Sequence, residues 1–312
     1  MTPSLRALLT HILDYAGLFP PARLPLDRAM ANYARYRTEP EAWMLARFIL
    51  PARRMSELRP EQIADGPPYA FSALGRGGGD ADAFLAGAEA DVRDIKAFRA
   101  RHPGRVQVVM YETRWPETLL ARGDPVALAS LIAALRERLG DAIPLFFEVP
   151  QGPQWDAWAS LAVEALARDG RAGFKLRCGG VEPTMFPSVE QVAHTLLACR
   201  DAGAPLKCTA GLHHPLRHFH EGMQTMMHGF LNIFGGGVLA HVHDLDQSTL
   251  ESILAEESPT AFTWDEDGFA WRGLRASVAD IRRLRAEALI SFGSCSFDEP
   301  RADLRALGLL RK

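Results

Sequence analysis

Only four lysines stand beside 31 arginines in this chain, and two of them, Lys175 and Lys207, occupy matching places in successive strand-like segments. Residues two apart in a strand share a face. In Gly173–Cys178 this puts Lys175 with Arg177, and in Pro205–Ala210 it puts Lys207 with Thr209. The alternate residues, Phe174, Leu176 and Cys178 in one segment and Leu206, Cys208 and Ala210 in the other, are suited to packing under helices. Two neighbouring ammonium groups in a low-dielectric interior repel, and burial penalises the charged form further. One of them is therefore expected to fall well below the ordinary lysine value of about 10.4. A neutral amine attacks carbonyl carbon, the first step of Schiff-base chemistry. Arginine stays protonated and cannot replace it. Glu148, ending Pro144–Val149, and Glu112, just after Val106–Tyr111, are the candidate proton carriers. The same residues would also compose an internal ion network or a clamp for a substrate anion, and these alternatives stand open.

Other groups extend the candidate site. Arg177 would hold a carboxylate or phosphate bidentately, with Thr209 beside it. His213 and His214 follow the Lys207 segment directly and belong to a concentration of seven of the ten histidines between His213 and His243. They would serve as acid–base or anion-binding groups. The stretch HHPLRHFH lacks a known metal-ligand spacing such as HExxH, so no metal is assigned to it. Ser294 and Ser296, in the loop Gly293-Ser294-Cys295-Ser296, are candidate anion contacts before a helix opened by Asp298-Glu299-Pro300. The glycine-rich Gly75–Gly79 is not a GxGxxG loop and reads as a lid. No cofactor is called for.

These residues must be held by a scaffold. Short apolar runs at Trp43–Leu50, Tyr69–Leu74, Val106–Tyr111, Pro144–Val149, Gly173–Cys178, Pro205–Ala210 and Leu289–Phe292 alternate with helical patterns at Ala81–Ala100, Asp124–Leu139, Gln154–Arg168, Val189–Ala202 and Ser277–Ala286. Such runs, apolar on both faces, suit a parallel sheet covered by helices. The alternation predicts an α/β (β/α)8 TIM barrel, with chemistry at the C-terminal ends of its strands. Seven strands are plain, and the eighth is expected between Ala210 and Leu289. There Phe262–Trp271 reads as a β-hairpin around Asp267-Gly268, either an insertion or the source of the missing strand. Met223–His243 reads as a helix apolar all round, buried or forming a homodimer interface. The whole of residues 1–312 reads as one domain. Residues 1–40 form an N-terminal extension containing the unusual turn from Asp14 to Pro21.

Composition narrows the function classes. With 47% hydrophobic residues, 23% charged residues and a net charge of −3, the chain has no basic footprint for nucleic acid or an anionic membrane. No leader pattern and no apolar run long enough to cross a bilayer is seen. Four scattered cysteines suggest reduced thiols and a cytoplasmic setting, with Cys178 and Cys208 serving packing. Lys96 lies in a helical pattern and Lys312 ends the chain, so both are taken as incidental.

From Phe146 to His213 the chain resembles the class I, Schiff-base aldolase barrels, deoxyribose-phosphate aldolase in particular. The matching segments are FFEV ending near Glu148, FKLRCGG with Lys175, and LKCTAG with Lys207. The resemblance implies that Lys175 forms the Schiff base and that Lys207 lowers its pKa. Arg177 departs from the small hydroxyl residue of that family, and the loop running into Leu212-His213-His214-Pro215 departs from its sugar-phosphate loop. Glu112 is only roughly placed for the family's proton-relay carboxylate. The expected function is a lyase of aldolase type acting on a small, anionic carbonyl compound. Two other readings remain: a phosphate-binding transferase or metal-dependent hydrolase using the cluster from His213 to His220, and a non-catalytic small-molecule-binding barrel.

Overall fold

A computed structural model describes residues 1–311 of the chain; the expectation about Lys312 lies outside the described residues. Eight parallel strands close into a barrel: β1 (Leu13–Tyr15), β2 (Leu45–Pro51), β3 (Tyr69–Leu74), β4 (Val106–Arg114), β5 (Leu145–Glu148), β6 (Gly173–Arg177), β7 (Leu206–Thr209) and, closing the ring against β1, β13 (Leu289–Ser294). Helices follow most strands and cover the barrel from outside, as the alternation predicts. Their starts are written locally. Asp80 caps Ala81–Arg101, Asp124 caps Pro125–Leu139, and Ser188 with Gln191 forms a capping box on Val189–Asp201.

The eighth strand is not where the sequence pattern places it. It is β1, inside the supposed N-terminal extension, and it pairs with β2 on one side and β13 on the other. Three residues carry too little periodicity to announce a strand. The segment after β7 instead forms a small two-stranded sheet, β8 (His218–His220) with β9 (Thr225–Met227). The expected hairpin is present as β10 (Phe262–Trp264) and β11 (Gly268–Trp271), and β12 (Leu274–Ser277) extends it to a three-stranded antiparallel sheet outside the barrel. Asp265 organises the turn by accepting from the Asp267 and Gly268 amides.

The apolar helix begins later than the sequence pattern suggests, at Phe230, and ends at His243. Every residue from Phe230 to Ala240 is buried by this chain itself. A Cβ on Gly235 would meet Phe269 at 2.8 Å, and one on Gly237 would meet Leu289 at 2.9 Å. Its surroundings are thus β11, β13 and the helix Gln247–Leu254, so of the two uses expected for this helix, burial and a homodimer interface, burial is the one the fold gives it. Among the described residues, no helix is long and apolar enough to cross a membrane.

Candidate active site

Strand register brings the candidate residues to one place. β5, β6 and β7 align Glu148 with Lys175 and Lys175 with Lys207, while Arg177 aligns with Thr209. On β4 the inward face carries Met110, Glu112 and Arg114, with Arg114 aligned to Glu148. Period-two alternation therefore points both lysines inward, as the apolar alternate residues suggested.

The two ammonium groups do not face each other bare. Glu112 stands between them, with Oε2 at 3.0 Å from Lys175 Nζ and Oε1 in contact with Lys207 Nζ. Lys175 also has Glu148 Oε2 at 3.0 Å. Lys207 Nζ donates to Asp14 Oδ2 at 2.9 Å, reaching across to β1. Ser72 Oγ donates to Glu112 at 2.5 Å, and Ser291 Oγ donates to Asp14 at 2.6 Å. Arg47 reaches the other Asp14 oxygen at 3.1 Å. At the outer edge, Arg177 Nε donates to Glu148 Oε1 at 2.9 Å, with Arg114 Nε at 3.4 Å from the same oxygen.

This arrangement reverses the expected direction of the lysine shift. Burial disfavours the Lys175 ammonium, but Glu148 and Glu112 more than offset it, and the group lies above the ordinary lysine value. Burial likewise works against the carboxylates, and again the cations win. Lys175, Arg177 and Arg114 bring Glu148 down to about 2. Lys207 and Lys175 hold Glu112 far below the usual range, and Lys207 and Arg47 hold Asp14 below it. Considering two like charges alone omits the carboxylate that separates them.

The two lysines differ in access. Lys207 is wholly enclosed, whereas Lys175 borders a cavity of about 490 Å³ at the C-terminal ends of the strands. Glu148, Arg177, Arg114, Thr209 and His213 line the same cavity, while Glu112 and Lys207 lie behind it. His214, Ser294 and Ser296 are not on its wall. His214 Nδ1 is 2.5 Å from Asp303, Ser294 is buried, and Ser296 Oγ accepts from the Glu299 amide at the start of the last helix. His213 Nδ1 is 3.0 Å from Glu299. Among the described residues, no three His, Cys, Asp or Glu side chains converge as metal ligands. The sequence reading missed Asp14, Arg47, Ser72 and Ser291. Asp14 had one local signal, a lone charge inside the apolar run Ile12-Leu13-Asp14-Tyr15.

At the cavity wall, the chain turns sharply after β7. Gly211 has φ +71°, and a Cβ there would lie 2.6 Å from the Cys178 carbonyl oxygen and 2.7 Å from Gly179 Cα. Those neighbours are backbone and cannot swing aside. Gly211→Ala is expected to cost on the order of 3 kcal/mol of stability. Denaturant unfolding checks this; a change below about 0.5 kcal/mol, the usual size for an innocuous surface substitution, would show that the turn has room.

No protein-family model matches the sequence, and no curated protein matches it. Among solved structures, the chain resembles the apo form of a provisionally assigned deoxyribose-phosphate aldolase from Toxoplasma gondii ME49, at 13% identity and a TM-score of 0.52, with 97% of this chain and 95% of that one covered. A second structure so assigned from the same organism gives 11% identity, a TM-score of 0.52 and coverage of 97% and 92%. A deoxyribose phosphate aldolase from Aeropyrum pernix, described as having a unique tetrameric structure, gives 13% identity and a TM-score of 0.44, over 67% of this chain and 80% of that one. At these identities the likeness is one of fold.

Proposed function

We propose that the protein is a lyase of aldolase type that forms a Schiff base between Lys175 and a small anionic carbonyl compound. The observation that carries this reading is the position of Lys175: it is the one barrel-interior lysine that borders the cavity, with two carboxylates at 3.0 Å. Residues 1–312 act as one domain in this role, since β1 and β13, from opposite ends of the chain, lie side by side in the barrel.

The chemistry begins with loss of a proton from Lys175, for which Glu148, at the cavity edge, is the acceptor. The free amine adds to the carbonyl carbon, and loss of water gives an iminium ion. Cleavage of the adjacent carbon–carbon bond sends its electron pair into the iminium. That leaves an enamine on Lys175, while the hydroxyl on the departing carbon gives its proton to Glu148 and becomes a carbonyl. Return of that proton to the enamine carbon and hydrolysis by water then free the second product and Lys175. Arg177 and Arg114 hold the substrate anion. Lys207 fixes Glu112 and so the height of Lys175, a positioning role in place of the pKa-lowering role implied by the aldolase resemblance.

Borohydride reduction in the presence of candidate carbonyl compounds tests the proposal: a covalent adduct should map to Lys175. Labelling at full yield in a Lys175→Ala protein would overturn it. The raised pKa adds a sign. With acetaldehyde, a neutral probe that does not engage the arginines, the labelling rate should climb about tenfold per pH unit from pH 7 to 10, because only the free amine reacts and its fraction keeps growing below the pKa. A rate already level at pH 7 would mean the resting amine is free.

A second reading has one observation in its favour. The paired, protonated state of Lys175 also suits a barrel that binds a carboxylate or phosphate without reacting. Saturable binding of an anion with no reducible adduct for any carbonyl compound would favour it.

A further inference from the structure

The cavity wall is divided. The strand order places β2 diametrically opposite β6, and β1 opposite β5. On the arc from β1 to β3, the wall consists of Phe19 and Pro20 from the turn after β1, Ile49 from β2 and Leu74 from β3. On the arc from β4 to β6 it carries Arg114, Glu148, Lys175 and Arg177, together with Val181 and Met185 from the loop after β6. Arg76 also reaches the wall, but Asp91 and Asp94 engage its guanidinium, the latter at 2.6 Å. Arg114 and Arg177 instead share a single carboxylate, Glu148, so the positive charge left over for a ligand lies with them.

The apolar arc is poor in partners for hydroxyl groups. Pro20 has no N–H to donate, and the side chains of Phe19, Ile49 and Leu74 offer neither donors nor acceptors. A polyhydroxylated chain lying there would lose water without replacement bonds, a penalty that an alkyl or aryl group does not meet. The cavity of about 490 Å³ is also roomier than a two- or three-carbon acid requires.

We propose that this cavity takes a carbonyl compound with two unlike ends, an anionic group held by Arg114 and Arg177 and an apolar body seated on Phe19, Pro20, Ile49 and Leu74. The reactive carbonyl then lies between them, over Lys175. The substrate class is that of oxo acids with an alkyl or aryl arm, as opposed to sugar phosphates. The turn after β1, which looked like an appendage, supplies part of the specificity surface. This rests on the cavity being the place where Lys175 reacts, and the test separates the two claims.

Three probes, phenylpyruvate, pyruvate and glyceraldehyde 3-phosphate, are compared by borohydride labelling of Lys175. Phenylpyruvate should reach half-maximal labelling at a concentration about tenfold or more below either other probe, the scale expected for burying an aryl group. Phe19→Ala should shrink the phenylpyruvate-to-pyruvate ratio about fivefold. Arg177→Gln should weaken all three probes. Equal or better labelling by pyruvate or glyceraldehyde 3-phosphate would overturn the two-ended cavity while leaving Schiff-base formation intact. Binding of 3-phenylpropanoate and propanoate, which lack a carbonyl, is measured in parallel by calorimetry. Tighter binding of 3-phenylpropanoate with no labelling by any probe would support the two-ended cavity and sink the chemistry. No preference between these two acids would overturn the inference.

Discussion

Lys207→Met should cost about 3–5 kcal/mol of stability near neutral pH, the scale for removing one partner of a buried ion pair. Methionine fills a similar volume, so the loss is electrostatic more than steric. Lys207, Asp14 and Glu112 are all fully enclosed, so the substitution strips a cation from two carboxylates that water cannot reach. Arg47 still faces Asp14 and Lys175 still faces Glu112, which keeps the loss from doubling. The pH dependence has a definite sign. Asp14 and Glu112 lie below their ordinary values in the folded protein. Their contribution is thus present above the unfolded carboxylate range of about 4 and is lost as pH falls through the folded values. In Lys207→Met both carboxyls rise, so the gap between the two proteins should narrow as the pH is taken from 7 towards 4. Urea unfolding at several pH values measures it. A gap that does not change with pH would mean that the loss is one of packing.

Lys175→Arg should abolish turnover, by on the order of 10⁴-fold or more, while leaving the fold nearly as stable. Arginine can keep company with Glu112 and Glu148, so the buried carboxylates retain a cation. It cannot become a neutral amine at accessible pH, so no Schiff base forms. The combination is diagnostic, because loss of a merely structural ion pair would lower stability and activity together. Melting temperature and borohydride labelling on the same preparation give both readouts. Residual labelling at another residue, with catalysis retained, would transfer the nucleophile's role elsewhere. The alkaline limb carries a further sign. The raised Lys175 value means its pairing stabilises the wild type fully below about 10.4 and is lost as pH climbs through the folded value. The arginine variant, which does not titrate there, should keep that contribution at higher pH.

The inward placement of Lys175, Arg177, Lys207 and Thr209 was legible because a strand's alternation is written within five or six residues. β1 was not. Its three residues, Leu13, Asp14 and Tyr15, pair in parallel with Phe292, Gly293 and Ser294, and nothing local marks so distant a partner. The rhythm of the later repeats points to an eighth strand near Phe262, where the chain forms an accessory sheet instead. His214, Ser294 and Ser296 looked suited to the site by sequence neighbourhood, yet each side chain turns to a neighbour off the cavity wall.

From its residues alone, this chain determined the barrel class, the two lysine-bearing strands and the scarcity of lysine that singles them out. Those features depend on local periodicity and on residue type. Only the tertiary structure decided that Glu112 sits between the two amines, that Asp14 arrives from the first strand to hold Lys207, and that Lys175 alone opens on the cavity. Charge interactions are strong in a low dielectric and scale inversely with distance, so the sign of their sum depends on which distant residues end up three ångströms apart. The lysine expected to be neutral by repulsion is instead held as an ammonium by carboxylates from β4 and β5.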